Sequence, residues 1–310
     1  SRPMKVLIGL DDSRYSLGAV RFVARYLASD DEAEVHLVHA LYDAPVGLGV
    51  WPPRRTRDLK RIPPDVRRIF ERATKRLTSK RFSIETRVRR GRPTAVVPEL
   101  AAEGGYDLVV VGAKGRSDAP FLDIGSVALA VLEHVPMTVL MTRERRPGRS
   151  WPRPVGGPPK FHVLFATDGS AYSRAATAAF FRLLDIPSLE ATAIAVAELP
   201  EATMLRRMSA RRREEYVSLV ESAADDWLRQ LEAQLEGYDV RPKSRMLRGR
   251  PAKALVDAAG KHGVDLAVLG SRGTRGTWGP RLGSTALGVA RSSPCSVLIV
   301  RSPARRAAAH

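Results

Sequence analysis

Short apolar runs and amphipathic segments alternate along the first 142 residues of the chain. Polar residues or glycine bound each apolar run, which is typical of a strand that is buried on both faces of a sheet. The segments between the runs have apolar residues at helical spacing, as in Asp65–Ser79, where Val66, Ile69 and Phe70 share one face. The predicted strands are Lys5–Leu10, Glu34–Leu41, Phe82–Val88, Leu108–Gly112 and Met137–Thr142.

The helical spacing also predicts which side chains of two helices face the core. The helix after Ser13 would turn Leu17, Val20, Ala24 and Leu27 inward. In the second half, Tyr216–Leu235 is predicted to be one long helix. Its inward positions would be Leu219, Val220, Ala223, Trp227, Leu228 and Leu231.

The whole pattern starts again at Phe161. Gly91 and Gly249 lie 158 positions apart, and the pairs Gly112–Gly270 and Ser126–Ser284 keep the same offset. Since so many elements share one offset, the sequence indicates duplication of an entire domain. The predicted strands of the second copy are Phe161–Thr167, Thr192–Ala197, Ser244–Leu247, Val264–Gly270 and Ser296–Val300.

Strand and helix alternate in both copies, which predicts right-handed crossovers and a parallel sheet covered by helices on both faces. The fold class is therefore α/β, with two tandem doubly wound domains, each a five-stranded parallel sheet flanked by helices. We expect the first domain at residues 1–145, a linker rich in proline and glycine at 146–160, the second domain at 161–303 and a disordered tail at 304–310.

The chain is strongly basic, with a formal net charge of +18 and a pI near 10.8. Such a charge brings nucleic acid and other anionic partners into consideration. Lysine and arginine exceed aspartate and glutamate by 27 to 18 through Ser150 and by 24 to 15 after it, so each half carries +9. Because a dedicated nucleic-acid arm would make the halves unequal, a solvated arginine-rich surface is favoured.

Other compositional features point to a cytoplasmic protein without a membrane span. No apolar run approaches 18 residues, and no charged-then-apolar leader precedes the first strand. The single cysteine, Cys295, excludes an internal disulfide and a thiolate metal cluster, and a packed, unreactive thiol is expected there.

A glycine motif follows the fourth predicted strand of each copy. In the first copy Gly112, Gly115, Gly125 and Ser126 have the spacing G-x2-G-x9-G-[ST], and Gly270, Gly273, Gly283 and Ser284 repeat it. Glycine lets the backbone approach a ligand closely, and a Gly-Ser pair at a helix N-terminus presents N–H groups to phosphate. The sequence therefore predicts a phosphate-binding loop in each copy.

Competing interpretations of these residues are weaker. Gly112–Gly115 has the GxxG form of a KH loop, but that loop joins two helices whereas this one follows a strand. A P-loop motif is absent from the sequence, and the histidines lack metal-ligand spacing. With no catalytic Ser-His-Asp or Cys-His set at the loops, we assign no catalytic residue and no metal ligand.

These motifs resemble those of the universal stress protein family, in its tandem, ATP-binding G-2x-G-9x-G-[ST] form. The resemblance covers both halves and rests on VLIGLDDS, VLFATDGS, LVHA, the GRP tripeptides and both glycine loops. It implies Rossmann-like domains of the adenine nucleotide alpha hydrolase type, with ATP at the carboxyl ends of the strands. It also implies that the last strands, MTVLMT and SVLIV, pair within the chain as a pseudo-dimer, with homodimer formation left open.

The resemblance assigns a nucleotide-binding role to equivalent positions in each half. The aspartate after the first strand, near ribose and phosphate, would be Asp11 and Asp168, and the adenine-contacting position would be Ala40 and Ala197. The phosphate cradle would consist of Gly112, Gly115, Gly125, Ser126 and Val127 in the first half, and of Gly270, Gly273, Gly283, Ser284 and Thr285 in the second.

The two nine-residue spacers differ in charge. The first contains Asp118 and Asp123, whereas the second contains Arg275 and Arg281 and no acid. Carboxylates near a polyphosphate need a bridging divalent cation. We hypothesise that ATP in the first half depends on Mg²⁺ or Mn²⁺ more than ATP in the second.

Three functions remain open at this point. The favoured one is a nucleotide-responsive stress regulator that binds ATP in each domain and hydrolyses it slowly at most. The second is a basic adaptor for nucleic acid or acidic proteins with vestigial nucleotide sites, and the third is a slow ATPase or nucleotide hydrolase.

Overall fold

The computed structural model describes residues 2–28, 33–42, 57–59, 61–78, 82–115, 124–143, 160–200, 202–274 and 282–301. The predicted tail and, apart from residue 160, the predicted linker lie outside the described residues. The chain divides into two compact units, the first built mainly on Ser1–Glu144 and the second on the residues from Arg145 onwards. Each unit is an α/β domain in which helices flank a parallel sheet.

The first unit alternates strand and helix as the apolar pattern predicts. Its elements are β1 (Lys5–Leu10), α1 (Arg14–Tyr26), β2 (Ala33–Leu41), β3 (Arg57–Asp58), α2 (Pro64–Leu77), β4 (Phe82–Arg90), α3 (Pro93–Gly104), β5 (Leu108–Gly112), α4 (Ser126–His134) and β6 (Thr138–Thr142).

The sheet of the first unit has the strand order β3-β4-β2-β1-β5-β6. Five of these strands are parallel, with Lys5 to Leu10 of β1 in register with Glu34 to His39 of β2. The strands that follow β1 in the sequence are added first on one side of it, with β2 and β4, and then on the other side, with β5 and β6, so the order reverses at β1. In doubly wound sheets ligands bind at the carboxyl ends of the strands beside such a reversal.

The second unit repeats this arrangement. Its elements are β7 (Phe161–Thr167), α5 (Ala171–Leu183), β8 (Leu189–Ala197), α6 (Ala202–Arg207), α7 (Ala210–Glu236), β9 (Lys243–Arg248), α8 (Pro251–Lys261), β10 (Leu266–Gly270), α9 (Ser284–Ser292) and β11 (Ser296–Val300). Within the unit the strand order is β9-β8-β7-β10-β11, all parallel. The reversal therefore falls at β7, the equivalent of β1.

Three details differ from the sequence-based expectations. Between β2 and α2, where the apolar pattern predicts no strand, the structure contains β3, a two-residue strand that pairs antiparallel with β4. A short helix, α6, precedes the long helix of the second unit, which begins at Ala210 and not at Tyr216. Leu219, which was predicted to face inward, is 69% exposed.

The central strands are buried because helices cover both faces of each sheet. Val6, Leu7 and Ile8 of β1 and Leu108, Val109 and Val110 of β5 have no exposed surface. Such continuous apolar runs are expected for strands that have no solvent-facing side. Among the helices in the described ranges, none is both long enough and apolar enough to cross a membrane.

Candidate nucleotide-binding site

Asp11 lies directly after β1, where the sheet of the first unit changes direction. Its Oδ1 accepts hydrogen bonds from the Ser13 backbone N–H at 3.1 Å and from the Ser13 hydroxyl at 2.6 Å. Ser13 is also the N-cap of α1, where its Oγ accepts from the N–H of Ser16 at 3.1 Å. The start of α1 therefore holds the carboxylate in place at the carboxyl end of the strand.

The two glycines after β5 allow the loop to pack against this aspartate. A Cβ atom on Gly112 would lie 2.7 Å from the Cβ of Tyr15 and 2.8 Å from its backbone carbon. A Cβ on Gly115 would lie 2.7 Å from Oδ2 of Asp11. Since real Cβ atoms do not approach other heavy atoms so closely, only glycine lets the backbone lie beside the carboxylate.

Gly125 closes the loop onto α4. Its N–H donates to the carbonyl of Ala113 at 2.7 Å, and it is the N-cap of α4 with an extended backbone and no side-chain cap. The first N–H groups of a helix have no acceptor within the helix, and the helix dipole is positive there. The amides from Ser126 onwards are thus directed to the edge of the sheet as potential anion donors.

A cavity of about 400 Å³ connects these groups. It is lined by every residue predicted for the first site, namely Asp11, Ala40, Gly112, Gly115, Gly125, Ser126 and Val127. Ligand pockets commonly have volumes of roughly 300–1,000 Å³, so the cavity is of the size that small molecules occupy. The tertiary structure therefore brings together residues that lie up to 116 positions apart, from Asp11 to Val127.

The cavity also contains residues that were not predicted from the sequence. His39 and Lys114 line it, together with Tyr42 and Asp65. His39 is buried, and its Nδ1 donates to the carbonyl oxygen of Leu10 at 2.9 Å. Lys114 lies inside the glycine motif and His39 precedes Ala40, so proximity in sequence was an available signal for both. Asp65 belongs to α2, and no local pattern identifies it.

The second unit builds the same arrangement from equivalent residues. Oδ1 of Asp168 accepts from the N–H of Ser170 at 3.1 Å, and its Oδ2 accepts from the N–H of Thr274 at 3.0 Å. A Cβ on Gly273 would lie 2.4 Å from Oδ2 of Asp168, and a Cβ on Gly270 would lie 2.7 Å from the backbone carbon of Tyr172. The carboxylate and the loop after β10 are therefore in direct contact.

The remaining predicted residues of the second site occupy equivalent positions. Gly283 donates its N–H to the carbonyl of Ser271 at 2.8 Å and is the N-cap of α9, again without a side-chain cap. Ser284 and Thr285 are the first residues of α9, and Ala197 is the buried last residue of β8.

Two arginines lie beside the second loop, where the equivalent residues of the first unit are Lys114 and Arg143. Arg272 takes the place of Lys114, and its guanidinium lies 5.9 Å from the centre of the Tyr172 ring. Burial lowers the pKa of Arg301, which follows β11, and nearby Arg272 lowers this pKa further. An arginine remains charged despite such a shift, so two guanidinium groups favour an anionic ligand beside this loop.

The two sites differ in how the end of the first strand is held. In the first unit His39 binds the carbonyl of Leu10. In the second unit Thr167 occupies the place of Leu10, and its Oγ1 accepts from the N–H of Gly169 at 3.2 Å. Both arrangements fix the backbone immediately before or after the aspartate, so they serve the same geometry with different side chains.

Two other histidines lie away from these sites. His36 is buried and hydrogen-bonded to the hydroxyl of Tyr106 at 2.9 Å, and burial lowers its pKa despite the nearby Glu85. His162 is hydrogen-bonded to the hydroxyl of Thr192 at 2.8 Å, and burial likewise lowers its pKa. Burial thus favours the neutral form of both imidazoles.

The acidic residues of the first spacer, Asp118 and Asp123, and the arginines of the second, Arg275 and Arg281, lie outside the described residues. Within the residues that the structure describes, no three His, Cys, Asp or Glu side chains are grouped so that they could hold a metal ion. The hypothesis of different metal dependence stays a prediction.

Comparison with known proteins relates both halves of the chain to one protein family. The profile of the universal stress protein family matches residues 3–143 and 161–301. A universal stress protein of Mycolicibacterium smegmatis is 27% identical over 311 residues, covering 96% of each chain, and one of Mycobacterium tuberculosis is 28% identical over 315 residues with the same coverage.

Solved structures share the fold along nearly the whole chain. A universal stress protein from Archaeoglobus fulgidus has a TM-score of 0.56 at 18% identity and covers 96% of both chains. A functionally unknown protein from Pseudomonas aeruginosa has a TM-score of 0.59 at 15% identity, with 96% of this chain and 92% of that chain covered. On the two profile matches, this chain belongs to the universal stress protein family and contains two copies of its domain.

Proposed function

We propose that each unit binds one ATP molecule and that the protein acts as a nucleotide-responsive regulator in the stress response. The observation that carries this proposal is the contact between a strand-end carboxylate and a glycine loop that leads into an uncapped helix N-terminus. The first unit forms it with Asp11 and Gly115, and the second with Asp168 and Gly273.

The chemistry of these groups suits a nucleoside polyphosphate. The N–H groups at the starts of α4 and α9 would hold phosphate oxygens, and Lys114 or Arg272 would neutralise their charge. The carboxylates of Asp11 and Asp168 can accept hydrogen bonds from ribose hydroxyls. Apolar residues near the strand ends, including Ala40 and Val97 of the first cavity, offer a surface for a purine ring.

Any hydrolysis of ATP should be slow. Among the described residues that line the first cavity, His39 is held by the carbonyl of Leu10 and Asp11 by the start of α1. His39 is committed to the backbone and Asp11 to the backbone and the proposed ribose contact, so neither is assigned to orient an attacking water. We therefore expect turnover well below about 1 s⁻¹, the lower end for ordinary enzymes.

Mass spectrometry of the denatured purified protein, followed by calorimetric titration of the nucleotide-free protein with ATP, tests the proposal. We expect co-purified adenine nucleotide and saturable ATP binding. Titrations with Mg²⁺ and with EDTA test whether ATP in the first unit depends more on the metal. Protein that carries no nucleotide and gives no binding heat under either condition would refute the proposal.

A further inference from the structure

A dense group of arginines lies on the surface of the second unit, where α6 is followed by α7. Arg206 and Arg207 end α6, and Arg211, Arg212 and Arg213 belong to the first turn of α7. All five are exposed, and the stretch 204–213 contains no acidic residue. We call Met204–Arg213 together with Leu219 the arginine surface.

The three arginines at the start of α7 do not stabilise that helix, whereas Arg206 and Arg207 lie in the last turn of α6, where the helix dipole favours a cation. Cations at a helix N-terminus oppose the helix dipole, and the first turn of α7 has no acidic residue to offset them. Its cap is Ser209, whose Oγ accepts from the N–H of Arg212 at 3.4 Å. The positive charge of Arg211, Arg212 and Arg213 therefore disfavours the start of α7 in the free protein, as expected for charges that serve a partner.

Most of these guanidinium groups lack a carboxylate partner in the part of the chain that the structure describes. Arg211 pairs with Glu215 at 2.9 Å, with both side chains largely exposed. Among the residues that the structure describes, no acidic side chain pairs with Arg206, Arg207, Arg212 or Arg213. Their hydrogen-bonding capacity is available to an anionic partner, and guanidinium groups bind carboxylates in a planar, two-pronged geometry.

Two large apolar side chains flank the arginines. Met204 is 58% exposed and Leu219 is 69% exposed, which makes them the most exposed large apolar side chains among the described residues. Leu219 follows Arg212 by seven residues, so the two lie on the same face of α7, two turns apart. The same stretch of the second unit therefore presents exposed apolar side chains and exposed cations together.

We propose that the arginine surface docks an acidic protein segment that also carries apolar side chains. Carboxylates of the partner would pair with the arginines, and its apolar residues would cover Met204 and Leu219. Arginine and methionine are enriched at protein–protein interfaces, which agrees with this composition. A nucleic-acid backbone would satisfy the arginines but would leave both apolar side chains exposed, and a second copy of this chain, at +18, would be repelled.

Fluorescence anisotropy with the full-length chain tests this proposal. One labelled probe is a peptide of alternating glutamate and leucine pairs, a second replaces each leucine with serine, and a third is a DNA duplex. The double variant Arg206→Glu/Arg212→Glu should raise the Kd of the leucine peptide about tenfold or more, as expected when central charged contacts are lost. Met204→Ser/Leu219→Ser should weaken the leucine peptide and leave the serine peptide unchanged.

The matched control is Arg67→Glu/Arg68→Glu on α2, which makes the same charge change at exposed arginines of the first unit. It should change the Kd of the leucine peptide by no more than about twofold, since salt screens the electrostatic effect of charges that lie far from the bound peptide. Urea unfolding verifies that each variant is folded. Equal weakening by both charge variants, equal affinity for the two peptides, or tighter binding of the duplex than of the leucine peptide would overturn the proposal.

Discussion

Gly112 and Gly270 show how a single absent methyl group decides the shape of each loop. A Cβ at either position would come within 2.8 Å of the backbone carbon of the facing tyrosine, Tyr15 or Tyr172, at the start of a helix. Because that backbone cannot move without displacing the helix, we expect Gly112→Ala or Gly270→Ala to lower the free energy of unfolding by about 1–3 kcal/mol.

Urea denaturation of the variants measures this effect, with Gly260→Ala as control. The nearest atom to a Cβ on Gly260 of α8 is a Pro294 side-chain carbon at 3.8 Å, so alanine fits there. In a helix interior alanine is favoured over glycine by about 0.5–1 kcal/mol, and the control should be as stable as the parent or more so. Loss of stability in the control alone would show that the contacts at Tyr15 and Tyr172 do not matter.

The buried histidines predict a dependence of stability on pH. Burial lowers the pKa of His36 and His162 in the folded protein below the ordinary value of 6.5. Below pH 6.5 the unfolded chain therefore binds protons that the folded protein does not. The contribution of these two histidines to the free energy of unfolding is complete above this pH. It falls as the pH decreases toward the lowered pKa values.

Urea midpoints between about pH 7.5 and about pH 5.5 test this expectation, since histidine titrates in that range. The midpoint should fall in the parent protein and fall less in His36→Gln/His162→Gln. Glu85 and Glu190 act in a different window, because hydrogen bonds from Arg87 and Lys243 lower their pKa below 4.5. A parent and variant with parallel pH profiles would contradict the assignment to the histidines.

Helix capping connects the secondary structure of both units to the candidate sites. Ser13 and Ser170 each accept a hydrogen bond from the N–H three residues on, Ser16 at 3.1 Å and Ser173 at 3.2 Å. Each also contacts the strand-end aspartate, through its N–H to Oδ1. The cap of α1 or α5 and the position of the carboxylate are therefore set by one residue.

We expect Ser13→Ala or Ser170→Ala to lower the free energy of unfolding by about 0.5–2 kcal/mol, as for other N-cap serines. The hydrogen bond from the backbone N–H of residue 13 or 170 to the aspartate remains in these variants. The free energy of ATP binding should therefore decrease less than the free energy of unfolding. Ser209→Ala is the control, because Ser209 caps the exposed start of α7 with a longer 3.4 Å bond. Thermal unfolding ranks the three variants, and a larger loss for Ser209→Ala would contradict this account.

For the whole molecule, duplication predicts two equivalent binding events that can be removed one at a time. A Cβ at Gly115 or Gly273 would displace the carboxylate of Asp11 or Asp168 in its own unit only. We expect calorimetry to give about two ATP per parent chain, about one for either single alanine variant and none for the double variant, as for independent preformed sites. Loss of both events in one single variant would show that the units are not independent.

Local patterns predicted much of this architecture because a strand that is buried on both faces consists of a continuous run of apolar residues. Leu108–Gly112 was predicted with the bounds that the structure gives to β5, and the predicted strand Val264–Gly270 begins two residues before β10. The glycine motif of the first unit likewise indicated Gly112, Gly115, Gly125 and Ser126, which line the first cavity, but it did not indicate Lys114 between them. Helix faces were harder to predict. On α1 the buried residues include Ala19, Phe22 and Val23, while the predicted Leu17 and Ala24 are partly exposed.

The amino-acid sequence by itself determined the order of the five parallel strands in each unit, the duplication and the glycine loops, since each depends on neighbouring residues or on a repeated spacing. Only the tertiary structure decided that Asp11 meets Gly115, that His39 holds the end of β1, and that Leu219 remains exposed beside the arginines. These features depend on which distant segment packs against a side chain. The helical period of the sequence indicates which residues share a face of a helix. Whether that face is buried depends on whether another element packs against it.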